Sequence, residues 1–158
     1  MTASRRRAVL AHAAAAITAL VFLLAAVPKL LDPGGFAADI LNYRVLPEAL
    51  VGHAALYVPA FELAVGLALL WPRYQRGAAL LSTLMLLVFA VAMAQARVRG
   101  IDLSCGCFGA AFESKVSWWT VARSSGLAVI ASVPLIWPPL SAAAPHPLTS
   151  PGQGTHVA

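Results

Sequence analysis

The sequence has little charge, few acidic residues and only two cysteines. Asp, Glu, Lys and Arg together make up 11% of the 158 residues, whereas hydrophobic residues make up 60%. An average soluble domain has about 25% charged residues. Because a chain of this length leaves a large share of its residues at the surface, so little charge excludes an ordinary soluble domain and predicts an integral membrane protein.

The distribution of basic residues argues against a nucleic-acid partner. Eleven basic residues outnumber six acidic ones and give a formal net charge of +5. Apart from Arg5, Arg6 and Arg7, they stand singly or in pairs between apolar stretches. A nucleic-acid site requires basic residues clustered on one face, whereas this pattern is typical of residues that set membrane topology.

Four apolar stretches are long enough to cross a bilayer. They cover residues 8–31, 54–71, 77–96 and 118–137, and the second could start as early as residue 49. At 1.5 Å per residue, each approaches or exceeds a hydrocarbon thickness of about 30 Å. The first exceeds the apolar core of about 7–15 residues found in signal peptides, so we expect it to be retained. The sequence therefore predicts an all-α, integral membrane four-helix bundle.

The connections between the predicted spans differ in length. Residues 72–76 join the second and third spans and predict an antiparallel helix pair. The turn at residues 32–35 leads into an amphipathic segment, residues 36–46, which we expect to lie on the membrane surface or to cap the bundle. The membrane domain then covers residues 1–137. Residues 138–158, rich in Pro, Ala, Ser and Gly, predict a disordered tail.

Positive charge indicates the orientation of the bundle. Each side of the membrane receives five basic residues in this topology, counting Lys29 near the end of the first span. Those on the side of both termini lie in the shorter segments, next to span ends, where positive charge favours the cytoplasm. We therefore expect a multi-pass protein of the cell membrane with cytoplasmic termini and two long extracytoplasmic loops.

Alternating spans bring several ionisable residues to one half of the bundle. Lys29 ends the first span, Glu62 lies within the second and Arg123 within the fourth, with Asp32 and His53 near the same face. Ionisable groups inside a bilayer cost about 2.5–3.5 kcal/mol each and usually pair in the bundle interior. We therefore predict an ion pair between Glu62 and Arg123, which either joins the two helices or tunes the cysteine loop or a bound cofactor.

The two cysteines, Cys105 and Cys107, are separated by one glycine in the loop before the fourth span. A disulfide needs Cα atoms about 4.4–6.8 Å apart, which residues i and i+2 can reach across a flexible glycine. So small a ring is expected to be strained, and strained, exposed disulfides tend to be labile or catalytic. Three alternatives stay open: a static structural clip, two passive thiols, and a zinc site, although zinc wants four ligands.

Several motifs together resemble a known family. Residues 29–33 read Lys-Leu-Leu-Asp-Pro, residues 42–47 read Asn-Tyr-Arg-Val-Leu-Pro, and residues 102–109 read Asp-Leu-Ser-Cys-Gly-Cys-Phe-Gly. With Glu62-Leu63 and Arg123, they resemble the methylamine utilisation protein MauE family, within the DoxX-like group of four-helix membrane proteins. The resemblance covers about residues 10–137, and the cysteine motif after the third span is its most specific part.

The resemblance implies a thiol-disulfide accessory factor that helps an exported protein to mature, such as the small subunit of methylamine dehydrogenase. Cys105 and Cys107 would be the catalytic pair. With one pair, the chain would need a soluble thioredoxin-like partner or a membrane electron carrier such as a quinone, for which Glu62, Arg123 and Lys29 form the candidate pocket. The alternative is a non-redox binding or assembly subunit whose disulfide is structural.

Overall fold

Helices account for the regular structure of the residues that can be described. The computed structural model describes residues 2–100 and 117–137. Within these ranges the elements are α1 (Ala3–Leu31), α2 (Pro33–Tyr43), α3 (Glu48–Leu70), α4 (Gln75–Val98) and α5 (Trp118–Ile136). In this part of the chain four helices, all but α2, are long and apolar enough to cross a membrane. The prediction of an all-α, four-helix membrane bundle is confirmed.

The helices begin earlier than the apolar stretches suggest. α1 already starts at Ala3 and includes the three arginines, and α3 starts at Glu48 instead of residue 54. An apolar stretch ends at the first polar residue, but the helix can continue through polar residues into the membrane–water interface. Pro47 precedes α3, and Glu48 in its first turn complements the helix dipole. The cysteine segment and the predicted tail lie outside the described residues.

The four long helices pack side by side in the order α1, α3, α4, α5, and α5 closes the ring against α1. α3 and α4 are neighbours because only a short turn joins them, as the sequence predicts. α1 and α4 lie across the ring from one another. The buried core is built mainly from small and aliphatic side chains: Ala15, Ala19, Phe22, Val65, Leu69, Ala78, Ala79, Leu86, Ala128 and Ala131.

Small residues allow α1 to approach its neighbours closely. Ala11, Ala15 and Ala19 recur every four residues, and each is at most 1% exposed. On α3, a Cβ atom added at Gly66 would lie 3.2–3.3 Å from atoms of Phe22 and Leu23. Because lipid gives helices no hydrophobic reason to associate, close packing of small residues is a main source of their attraction. The contact between α1 and α3 therefore has little room for a larger residue.

This contact also determines how far α3 projects past α1. The two helices run antiparallel, and both rise by about 1.5 Å per residue. With Gly66 opposite Phe22, the end of α1 at Leu31 therefore lies opposite about Tyr57. The first turns of α3 extend beyond α1, and α2 packs mainly against α3. The amphipathic segment thus forms a helix that caps this end of the bundle.

Local capping explains why α2 begins immediately after α1. Oδ1 of Asp32 accepts a hydrogen bond from the backbone N–H of Gly35 at 2.9 Å. Pro33 occupies the start of the helix, where its missing N–H costs nothing. Arg44 ends α2 with a left-handed backbone, φ 49°. The turn that the sequence predicts at residues 32–35 is therefore a helix start.

Ser124 joins α5 to α4 by a hydrogen bond whose contribution can be measured. Its buried Oγ donates to the carbonyl oxygen of Leu86 at 3.2 Å, whereas Ser125 donates to Val121 of its own helix. We expect Ser124→Ala to lower the free energy of unfolding by about 0.6 kcal/mol, and by no more than about 1.7 kcal/mol. The matched Ser125→Ala should change it by less than about 0.5 kcal/mol. Unfolding in mixed micelles by added SDS measures both, and equal losses would contradict the assignment.

Candidate functional site

A buried salt bridge joins α1 to α3. Nζ of Lys29 lies 2.7 Å from Oε1 and 2.8 Å from Oε2 of Glu62. The side chains are only 4% and 3% exposed. Glu62 is fourteen residues from the start of α3 and eight from its end, or about 21 and 12 Å at helical rise. The pair therefore lies deep in the bundle and not at its rim.

Two aromatic rings complete the surroundings of the Lys29 ammonium. Nζ lies 5.0 Å from the ring centroid of Phe36 on α2 and 5.4 Å from that of Phe89 on α4. A cation at this distance from a ring is attracted by the ring quadrupole, the more so where water is excluded. Lys29 on α1 thus interacts with α2, α3 and α4 at once.

A small inner cavity lies beside the salt bridge, between the four long helices. Its volume is about 50 Å³, room for a few water molecules but not for an organic ligand, since about 150 Å³ holds benzene. Its walls are formed by Val21, Phe22, Ala25, Lys29, Glu62, Leu86, Phe89, Met93, Thr120, Arg123, Ser124 and Leu127.

Arg123 reaches this inner cavity from the first turns of α5, although the residue as a whole is exposed. The structure thus brings together the three residues that the sequence proposes as a pocket: Lys29, Glu62 and Arg123. Among the described residues, however, the salt bridge of Glu62 is made with Lys29, where the sequence analysis pairs it with Arg123. The register of α1 against α3 is the reason, because it places Lys29 within reach of Glu62.

A larger outer cavity lies under α2, between α2, α3 and α4. Its volume is about 250 Å³, and it shares Lys29, Phe89 and Met93 with the inner cavity. The remaining walls are formed by Phe36, Asp39, Ile40, Tyr43, Val45, Leu46, Ala54, Val58, Val88 and Ala92. Val88 is 66% exposed, so the cavity borders the face of the bundle that lipid covers.

Asp39 on α2 is the acidic wall residue of the outer cavity. Partial burial raises the pKa of its carboxyl above the usual value, and the nearby Asp32 raises it further, while Lys29 acts in the opposite direction. Lys29 and Asp39 are the charged residues among those that line the outer cavity, and Lys29 is already paired with Glu62, so these walls offer no unpaired cation. An anionic ligand is therefore disfavoured there.

Two further sequence candidates lie apart from the buried pair. His53 is exposed on α3, where its ring stacks on that of Tyr57 at 6.5 Å between centroids. Asp32 is exposed and caps α2. Cys105 and Cys107 lie outside the described residues, so their role stays a prediction.

Sequence reasoning missed Asp39 and Phe89, which carry no motif of their own. It placed Phe36 in the amphipathic segment but not beside Lys29. The available signal is the spacing of Phe36, Ile40 and Tyr43, which places three apolar side chains on one face of a helix. That face predicts apolar surroundings beneath α2, and the outer cavity, with its mostly apolar walls, lies there.

Comparison with known proteins identifies relatives. The family model described as methylamine utilisation protein MauE matches residues 7–137. The chain is 36% identical to methylamine utilization protein MauE of Paracoccus denitrificans, over 86% of this chain and 73% of the relative. The protein of that name from Methylorubrum extorquens is 35% identical, over 82% and 72% of the two chains. The one from Paracoccus versutus is 34% identical, over 85% and 68%. No solved structure matches the chain.

Proposed function

The chain belongs to the family of the methylamine utilisation protein MauE, and from this premise we propose that it is a thiol-disulfide accessory factor of the membrane. Its client is an exported protein that contains disulfides, the small subunit of methylamine dehydrogenase or an analogous protein. The chain then takes part in methylamine utilisation through that client. Cys105 and Cys107 carry the exchange.

The observation that carries the proposal is the position of the cysteine pair in the chain. The pair lies in the connection between the end of α4 at Val98 and the start of α5 at Trp118. These two helices line the inner cavity with Phe89 and Arg123, next to the Lys29–Glu62 salt bridge. The connection that contains the cysteines therefore joins two helices that border the Lys29–Glu62 salt bridge.

The proposed reaction is disulfide exchange. A client thiolate attacks the Cys105–Cys107 bond and forms a mixed disulfide with one of these cysteines. A second client thiolate then attacks the mixed disulfide and releases that cysteine. The client loses two electrons and two protons and gains an S–S bond, and Cys105 and Cys107 take up the electrons and protons and become thiols. Repeated turnover then needs an electron acceptor, either a soluble thioredoxin-like protein or a lipid-soluble carrier.

We also propose the orientation that positive charge favours, with both termini in the cytoplasm. In that case the cysteine segment is extracytoplasmic, the compartment in which disulfides persist. Labelling of intact cells with a thiol reagent that does not cross membranes should then modify the reduced cysteines. Labelling only after permeabilisation would show the opposite orientation, and an exported protein could then not be the client.

A pair of single cysteine variants tests the exchange. With Cys107→Ser, the thiolate of Cys105 can attack a disulfide of the oxidised client, the reverse of the proposed exchange, and a client thiolate leaves. Because Cys107 is no longer there to displace the client, the mixed disulfide should accumulate and disappear on reduction. Cys105→Ser tests the other sulfur, and the double serine variant is the control that should trap nothing. Non-reducing electrophoresis followed by mass spectrometry identifies the client.

The redox potential separates exchange from a structural clip. A pair that exchanges with clients should equilibrate with glutathione buffers near the potential of disulfide isomerases, roughly −180 mV. A pair that resists reduction to potentials below about −300 mV behaves as a structural disulfide. That result, together with no trapped client, would favour the non-redox assembly subunit instead.

A further inference from the structure

We propose that the outer cavity under α2 binds a neutral, lipid-soluble carbonyl compound with a planar ring, the chemistry of a membrane quinone. The inference depends on the cavity and its wall residues. It deepens the proposed function by supplying the class of electron acceptor, but binding at this site can be measured without the cysteines.

The size of the outer cavity admits a substituted ring. Its volume is about 250 Å³, whereas a cavity of about 150 Å³ is enough for benzene. The inner cavity, at about 50 Å³, is too small. Of the two, only the outer cavity can therefore hold an organic ligand.

The wall chemistry selects a neutral hydrogen-bond acceptor. Lys29 has three N–H donors, and Glu62 accepts two of them among the described residues. A third donor is thus available to an oxygen of the ligand. A carboxylate or phosphate inside the cavity would lie near the carboxyl of Asp39, and the one cation of the walls, Lys29, is already paired with Glu62, so an anionic lipid head is disfavoured.

Aromatic wall residues favour a planar ligand over a flexible chain. Phe36, Tyr43 and Phe89 all line the outer cavity, and aromatic rings stack on or against other planar rings. The cavity borders the lipid face at Val88. A ligand dissolved in the bilayer therefore has direct access to it.

The binding test uses decylubiquinone and the full-length protein in nanodiscs, with native mass spectrometry to count bound molecules. It is carried out in the Cys105→Ser, Cys107→Ser background so that the cysteines cannot reduce the quinone during the measurement, and repeated in wild type. We expect one quinone per chain. Decanol, dodecanoate and dodecyltrimethylammonium, which carry a similar chain with another head, should compete at least about tenfold less well.

Two matched alanines locate the site. Ala92→Phe places a ring in the wall of the outer cavity, and Ala60→Phe places the same ring on the exposed side of α3. We expect Ala92→Phe to weaken binding at least about tenfold and Ala60→Phe to leave it unchanged. Lys29→Met should weaken it as well, if that variant is recovered folded.

Three results would overturn the proposal. Unchanged quinone binding by folded Ala92→Phe would show that the quinone does not bind in this cavity. Equal binding of decanol would show that the ring and its carbonyls are not recognised, and stronger binding of dodecanoate or the cationic amphiphile would show that the cavity selects a charged head. If the quinone binds but no client is trapped by the single cysteine variants, the cavity proposal stands and the exchange function fails.

Discussion

Lys29→Met is expected to lower the free energy of unfolding by about 3–5 kcal/mol, because it leaves the carboxylate of Glu62 buried without a partner. Both oxygens of that carboxylate are bound by Nζ of Lys29, and the group is 3% exposed. The substitution also removes the cation that lies near the rings of Phe36 and Phe89. Reversible unfolding by SDS in mixed micelles, followed by circular dichroism, measures the loss.

A double-mutant cycle measures the interaction free energy between Lys29 and Glu62 apart from the contribution of each side chain alone. Glu62→Met should cost a similar amount, since it leaves the ammonium of Lys29 uncompensated. The double variant Lys29→Met, Glu62→Met should be more stable than either single variant, because apolar replacement of a whole buried ion pair is often close to neutral. Losses that simply add would show that the two side chains do not interact.

Two controls accompany the cycle. Glu48→Gln alters an exposed acidic residue on the same helix as Glu62 and should lower stability by no more than about 1 kcal/mol, the size of the helix-dipole interaction that it removes. A second cycle with Arg123→Met tests the pairing that the sequence suggests. Its coupling to Glu62 should be smaller than that of Lys29, and a larger coupling would make Arg123 the main partner.

Gly66→Leu is expected to destabilise the bundle by about 1–3 kcal/mol or more, because the contact between α1 and α3 is already full. The first added carbon would lie 3.2–3.3 Å from Cγ and Cδ2 of Leu23 and Cβ of Phe22. Two of these atoms are close to the backbone, so α1 itself must move. Glu62 is one helical turn from Gly66 and is therefore drawn away from Lys29 as the helices separate.

Gly52→Leu is the matched control on the same helix. A Cβ atom there meets nothing within 4 Å, so the substitution should gain up to about 1 kcal/mol from the better helix propensity of leucine. The same SDS titration compares the two variants, and equal stabilities would contradict the close approach at Gly66. Gly66→Ala should fall between them, since its propensity gain is opposed by a smaller overlap.

The spans could be predicted from the sequence because each is a long apolar stretch with few charges. The same pattern made Lys29, Glu62 and Arg123 conspicuous as the ionisable residues at membrane depth. The pairing among them could not be predicted, because it depends on how far α1 slides along α3. That register is set at Gly66 by contact with Phe22 and Leu23. It cannot be predicted from the sequence of α1 or of α3 taken alone.

The outer cavity could not be predicted from the sequence, for a different reason. Its walls come from four helices and from the loop residues Val45 and Leu46, and no local sequence pattern indicates an empty volume. The apolar face of the amphipathic segment was visible as Phe36, Ile40 and Tyr43. The partner of that face depends on the projection of α3 past α1, which follows from tertiary packing.

The distance in sequence between Lys29 and Glu62 also orders events while the chain is being made. Thirty-three positions separate the two partners, so during synthesis Lys29 reaches the membrane before Glu62 does. Until Glu62 arrives, the long lysine stem lets the ammonium stay among the lipid headgroups, since Lys29 is in the last turn of α1. We expect the insertion of α3 to draw the first helix to its final depth, so that the N-terminal half integrates in two steps.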